Sequence, residues 1–254
     1  MKPDAQQAIT ILNEVQTACG SAMLAYWALP NVILTLSGAR AYCDGIFWSS
    51  DKTQLAAWDK DITVSLEVIK SHSSLLAAST GVQSVRDGET YASYDLLFKD
   101  GLATVEKQTS LLDLSLVDVS NPEITTEAII GQMVELLRKS QEFKDYNDEN
   151  LGHVAFGILV GYPDKAIIES VKLRAVDDPF AEPHVSADIR GAGYYSCPQP
   201  VYSYPRHLVT DNAIKAHEQA WSQILQDYYQ SDFHKTLEAN ALFQKKMEEL
   251  NNLR

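Results

Sequence analysis

Two Asp-Gly pairs, Asp87-Gly88 and Asp100-Gly101, constrain this chain more than any other feature. Asp-Gly supplies the positive φ angles of tight hairpin turns, so each pair marks a reversal between antiparallel neighbours. Between the two pairs, Thr90, Ala92, Tyr94, Leu96 and Phe98 alternate onto one face of a strand. Leu112, Leu114 and Leu116 repeat that alternation further on. The segment 81–119 therefore reads as a four-stranded antiparallel meander.

Residues 148–179 extend the β reading. A helix over 149–160 would hold Gly152, Gly157 and Gly161, which together cost about 3 kcal/mol relative to alanine. As a strand, Val154, Phe156, Ile158 and Val160 share one face. Tyr162-Pro163-Asp164-Lys165 fits a type I turn with proline at its second position. Glu169, Val171, Leu173 and Ala175 then alternate with Lys172 and Arg174. A hairpin over 153–176 is preferred. Val185, Ala187 and Ile189 alternate with polar residues, and Pro198 and Pro200 confine the aromatic run that follows to a sheet edge or surface loop, so 184–204 adds further strands.

Helical signals appear in five places. Ala5, Ala8, Leu12, Val15, Cys19, Ala22, Tyr26 and Leu29 share a face over 4–29, and Pro30 ends that helix before a short strand at 32–36. Residues 37–50 have no clean period and read as a loop. Leu55, Trp58, Ile62, Leu66 and Ile69 form the stripe of a second helix, capped by Ser50 or Asp51. Ser120-Asn121-Pro122-Glu123 opens a third. Ile214, Trp221, Leu225 and Tyr228 line a fourth, with another helix after Ser231-Asp232. The expected fold is α+β: an antiparallel sheet of about seven or eight strands (meander 81–119, hairpin 153–176, strands 184–204) packed with N-terminal, middle and C-terminal helices. One domain spans 1–254, with the helices of 211–251 packed on it.

The net charge of −13 disfavours nucleic acid and anionic membrane as partners, because phosphate binding rests on Lys and Arg. Residues 15–39 are uncharged, but Pro30-Asn31 and several polar residues interrupt them, so no membrane span is expected. Cys19, Cys43 and Cys197 are odd in number and without zinc spacing, which points to a reducing cytoplasmic compartment rather than a disulfide framework. The phosphate-loop, dinucleotide and HExxH patterns are all absent, so neither metal nor cofactor is expected.

Two functional readings follow. The first is a non-catalytic binding or regulatory protein for a protein or small-molecule partner. Its surface would be the aromatic segment with Tyr194, Tyr195, Tyr202, Tyr204, Arg206 and His207, the residue types enriched at interfaces. The second is enzymatic. GHVAFGILVGY followed by DDP resembles the histidine strand of papain-like peptidases, and the chain order Cys, His, Asp agrees with that family. The resemblance implies a thiol-dependent hydrolase or transferase with Cys43 as nucleophile, His153 as base and Asp177 or Asp178 orienting the imidazole. Cys43 lacks the glutamine-led Gly/Ser-Cys-Trp surroundings of that family. The binding reading leads.

Overall fold

Asp4 starts the first helix by accepting the Gln6 N–H at 2.9 Å, and α1 runs Ala5–Cys19 with Ala5, Ala8, Ile11, Leu12 and Val15 buried. The computed structural model describes residues 3–72, 75–84, 90–98, 157, 159–163, 165–167, 169, 184–189 and 203–251. Gly20, at φ +88°, ends α1, and a 3₁₀ stretch Ser21–Tyr26 follows. Pro30 does not terminate a continuous helix; it opens a new one, α2 (Pro30–Leu36), at a position where its missing N–H is harmless. The expected strand at 32–36 is therefore helical. All seven α2 residues are buried, and a helix buried all round has the same uniform apolar sequence as a buried strand.

Residues read as a loop contain the strand β1 (Tyr42–Ser49). It pairs antiparallel with β3 (Thr90–Phe98), and β2 (Leu75–Ser84) lies on the other side of β3. Asp44-Gly45 hid β1, since both residues are rare in strands. Gly45 lies opposite Tyr94. A Cβ at Gly45 would come within 2.3 Å of the Tyr94 ring, so the aromatic fills the missing side chain's space. That ring stacks 4.5 Å from Trp27, while Phe47 approaches Tyr26 and Trp58, giving the core an aromatic centre.

The β2–β3 pair spans Asp87-Gly88 as expected, and α3 (Lys52–Lys70) buries the expected stripe beneath an Asp51 cap. α3 packs on α1 and on all three strands. The remaining meander, 99–119, and the helix expected after Pro122 lie outside the described residues.

The hairpin expected over 153–176 is overturned. Gly157 and Leu159 are helical, as are Lys165, Ala166, Ile167 and Glu169. Gly161 takes φ +77°, and the Tyr162 N–H bonds the Gly157 carbonyl at 2.8 Å, closing the first helical stretch. Pro163 then begins the second, where Ile167 N–H reaches its carbonyl at 3.1 Å. The glycine penalty was miscounted. Gly161 lies past the helix end, where positive φ favours it, and at Gly157 a Cβ would meet Ile167 Cγ1 at 2.8 Å, so its bareness lets the two stretches touch.

β4 (His184–Ser186) pairs with β5 (Ser203–Pro205) over three residues. Among the described residues the fold is thus α+β with one three-stranded antiparallel sheet and this short pair, not seven or eight strands. A 3₁₀ turn, Arg206–Thr210, leads through the Asp211 cap into α4 (Asn212–Tyr229). The single helix expected after Ser231 is two, α5 (Asp232–Glu238) and α6 (Ala241–Asn251), because Asn240 caps a fresh start. No described helix is long and apolar enough to cross a membrane.

Candidate functional site

Of the residues proposed from sequence, His153, Asp177, Tyr194, Tyr195 and Tyr202 lie outside the described residues. Cys43 projects into the core, 1% exposed. Burial pushes its thiol up to about 12, although the Arg40 charge and a Thr35 hydrogen bond act in the other direction. Tyr204 is buried and donates its hydroxyl to Glu218 Oε1 at 2.9 Å, so it is no surface anchor. Burial and that carboxylate push the phenol up to about 12. Arg206 and His207 are exposed on the turn before α4, with His207 Nε2 3.9 Å from the Glu169 carboxylate.

Geometry instead gathers chemistry along α4. Asp188, with Lys215, Glu218, Gln219, Ser222, Gln223 and Gln226 of α4, lines an open cavity of about 520 Å³. Its anchor is Glu218, 8% exposed. Glu218 Oε1 accepts both the Tyr204 hydroxyl and, at 3.1 Å, the Asp188 backbone N–H. These donors fix the carboxylate and join α4 to the β4–β5 region. Sequence reasoning missed Glu218, yet a signal existed. Ile214, Trp221, Leu225 and Tyr228 leave one vacancy in the 4-3-4-3 stripe, and a glutamate fills it. A carboxylate at a core position needs partners.

The same helix meets a second polar centre where two glycine turns converge. α2 closes through Gly38 at φ +80°, with Ala39 N–H bonded to the Leu34 carbonyl at 2.8 Å and Gly38 N–H to that of Thr35 at 3.0 Å. Gly161 packs directly on the chain that follows. A Cβ there would stand 3.3 Å from Trp221 Cζ2, 3.4 Å from the Ala39 carbonyl oxygen and 3.5 Å from Arg40 Cα. His217 Nε2 lies 2.8 Å from the Gly161 carbonyl oxygen, so in the neutral ring that nitrogen donates. Burial pushes His217 down to about 4, opposed by this hydrogen bond. The Arg40 guanidinium lies over Trp221, its carbon 5.8 Å from the ring centroid. Sequence reasoning singled out neither Trp221 nor His217 as functional.

Among the described residues no three His, Cys, Asp or Glu side chains gather as a metal site. No protein-family model, curated protein or solved structure matches the chain.

Proposed function

We propose that the chain is a non-catalytic binding protein that holds a small amine-bearing molecule in the α4 cavity. One observation carries the reading: Glu218, nearly buried, is held in place by the Tyr204 hydroxyl and the Asp188 amide at the cavity wall. An ionised carboxylate accepts up to four hydrogen bonds, and two of these are supplied by the protein. Asp188 adds a second carboxylate against one lysine, and three glutamine carbonyls add further acceptors. About 520 Å³ falls within the usual range for small-molecule sites, while the polar wall selects a polar ligand.

The thiol-hydrolase alternative is weakened by Cys43. A thiol sealed in the core and held far above neutral pH offers almost no thiolate for attack. Free Cys19 and Cys43 thiols fit a reducing, cytoplasmic setting.

Thermal melting with putrescine, and with glycerol as an uncharged control, tests the reading. Putrescine is expected to raise the Tm saturably and glycerol to leave it unchanged, since ligand at 100 times its Kd stabilises by about 2.7 kcal/mol. Glu218→Gln preserves shape and is expected to abolish the putrescine response. A putrescine shift that persists in Glu218→Gln, or none in the wild type, rejects the assignment.

A further inference from the structure

The α4 cavity has an oppositely charged end. Lys215 lines it together with Asp188 and Glu218, and it is the one cation among the described lining residues. Glu218 follows Lys215 by three positions on the same helix face, the spacing at which a lysine and a glutamate ordinarily meet. Here Glu218 turns to other donors, the Tyr204 hydroxyl at 2.9 Å and the Asp188 N–H at 3.1 Å. Lys215 is exposed, and among the described residues no carboxylate pairs with it.

The negative charge gathers on the Glu218 side. Asp188 lies in electrostatic range of the Tyr204 hydroxyl, the same hydroxyl that bonds Glu218. Lys215 stands at the other end, as the fourth residue of α4. The first turn of a helix carries the positive end of its dipole, which favours an anion and disfavours a cation. Asp211 caps that turn, accepting the Ala213 and Ile214 N–H groups at 2.9 and 3.2 Å, but its own charge is engaged by the Lys165 ammonium. The cavity wall therefore runs from a positive end at Lys215 to a negative end at Glu218 and Asp188. Beyond Glu218 it continues through glutamines and Ser222, which carry no charge.

We propose that the ligand of this cavity is a zwitterion, an amino carboxylate with a short alkyl chain between its charges. Glu218 and Asp188 hold its ammonium group, and Lys215 holds its carboxylate. The inference rests on the amine-binding reading and narrows it to one class of amine. A diamine satisfies the negative end but sets its second ammonium near Lys215, whereas an amino carboxylate satisfies both ends. Neighbouring Cβ atoms at this spacing are about 5–6 Å apart, and the flexible lysine stem lets its ammonium follow the carboxylate.

Calorimetric titration of the full chain tests this with 4-aminobutyrate, putrescine and butyrate, in a low-salt buffer free of amines and carboxylates. Putrescine and 4-aminobutyrate share an ammonium terminus and nearly the same length, and differ at the other end. The expected result is that 4-aminobutyrate binds at least tenfold more tightly than putrescine, and that butyrate gives no measurable heat. Lys215→Met is expected to melt with the wild type, because the side chain is exposed. It should weaken 4-aminobutyrate at least tenfold and leave putrescine as tight as before or tighter. Glu218→Gln should weaken both. Putrescine that binds as tightly as 4-aminobutyrate to the wild type, or a preference that survives Lys215→Met, overturns the zwitterion while the amine reading stands. Absence of binding by both amines rejects the amine reading itself, and the zwitterion with it.

Discussion

Arg40 and Glu218 are buried to nearly the same degree, 7% and 8% exposed, Glu218 within α4 and Arg40 over the Trp221 ring of the same helix. They carry opposite charges, yet they do not pair. Glu218 accepts from two neutral donors, a phenol and a backbone amide. Arg40 has a ring face beside it and an Nε without an acceptor. The difference separates two uses of a buried charge. Glu218 ties a helix to a strand pair and presents its remaining acceptor capacity to a cavity. Arg40 lays its guanidinium over Trp221 and so joins the turn after α2 to α4.

Removing each charge should expose that asymmetry, and the largest effect belongs to Glu218. Glu218→Ala leaves the Tyr204 hydroxyl and the Asp188 N–H without their acceptor. A stranded buried donor costs roughly 1–3 kcal/mol and the Asp188 amide is only part-buried, so a loss of about 2.5 kcal/mol is expected in urea denaturation. A loss below about 1 kcal/mol would equate Glu218 with Arg40, whose replacement by methionine is expected to be neutral or favourable.

Acid gives the next effect. His217 shares Trp221 with Arg40, at 4.5 Å between rings, and is pushed down by burial from 6.5 to about 4. The unfolded state therefore binds more protons between those values, and stability rises with pH across that window. Stability is complete above about 6.5 and is lost as the pH falls towards about 4, by roughly 2 kcal/mol after allowance for partial exposure. Burial also lowers His234, which acts in the same direction. His217→Gln should flatten the His217 part of the profile, and an unchanged slope would place the acid sensitivity elsewhere.

How much of this was legible depends on whether a signal is local. The antiparallel pairing of β2 with β3 and the α3 stripe are written in neighbouring residues, and both stand in the structure. Residues 32–36 and 157–169 were misread because short apolar runs suit buried helix and strand alike. In both, a glycine at positive φ closes a helical stretch: Gly38 after α2, Gly161 before Pro163. β1 escaped because the residue completing Gly45 is Tyr94, 49 positions away in the chain but opposite it in the sheet. Glu218 was visible as a polar residue inside an apolar stripe. Arg40 stands out in the sequence as the first charge after the uncharged run 15–39. That no described carboxylate pairs with it is a matter of three-dimensional contacts, and no periodicity encodes that.

Gly161 tests whether the Arg40 side of the comparison depends on its backbone frame. Alanine there must hold φ near +77° and press a methyl to 3.3 Å from Trp221. Left-handed backbone alone costs an L-residue about 1–2 kcal/mol, so Gly161→Ala should lose about 1.5 kcal/mol. It should leave putrescine binding intact, because that turn frames Arg40 and not the residues that line the Glu218 cavity. A matching loss of putrescine affinity would make that turn part of the frame of the Glu218 cavity.

The smallest expected effect isolates one bond on the Glu218 side. Tyr204→Phe removes the hydroxyl that donates at 2.9 Å and keeps the buried ring. Glu218 then retains the Asp188 N–H, so the carboxylate is loosened rather than stranded, and about 1 kcal/mol should be lost. Putrescine affinity should fall severalfold, since the acceptor it meets is less firmly oriented. If Tyr204→Phe leaves both stability and putrescine affinity unchanged, the phenol is a bystander. Glu218 would then owe its position to packing in the α4 stripe, and the contrast with Arg40 would reduce to one amide hydrogen bond.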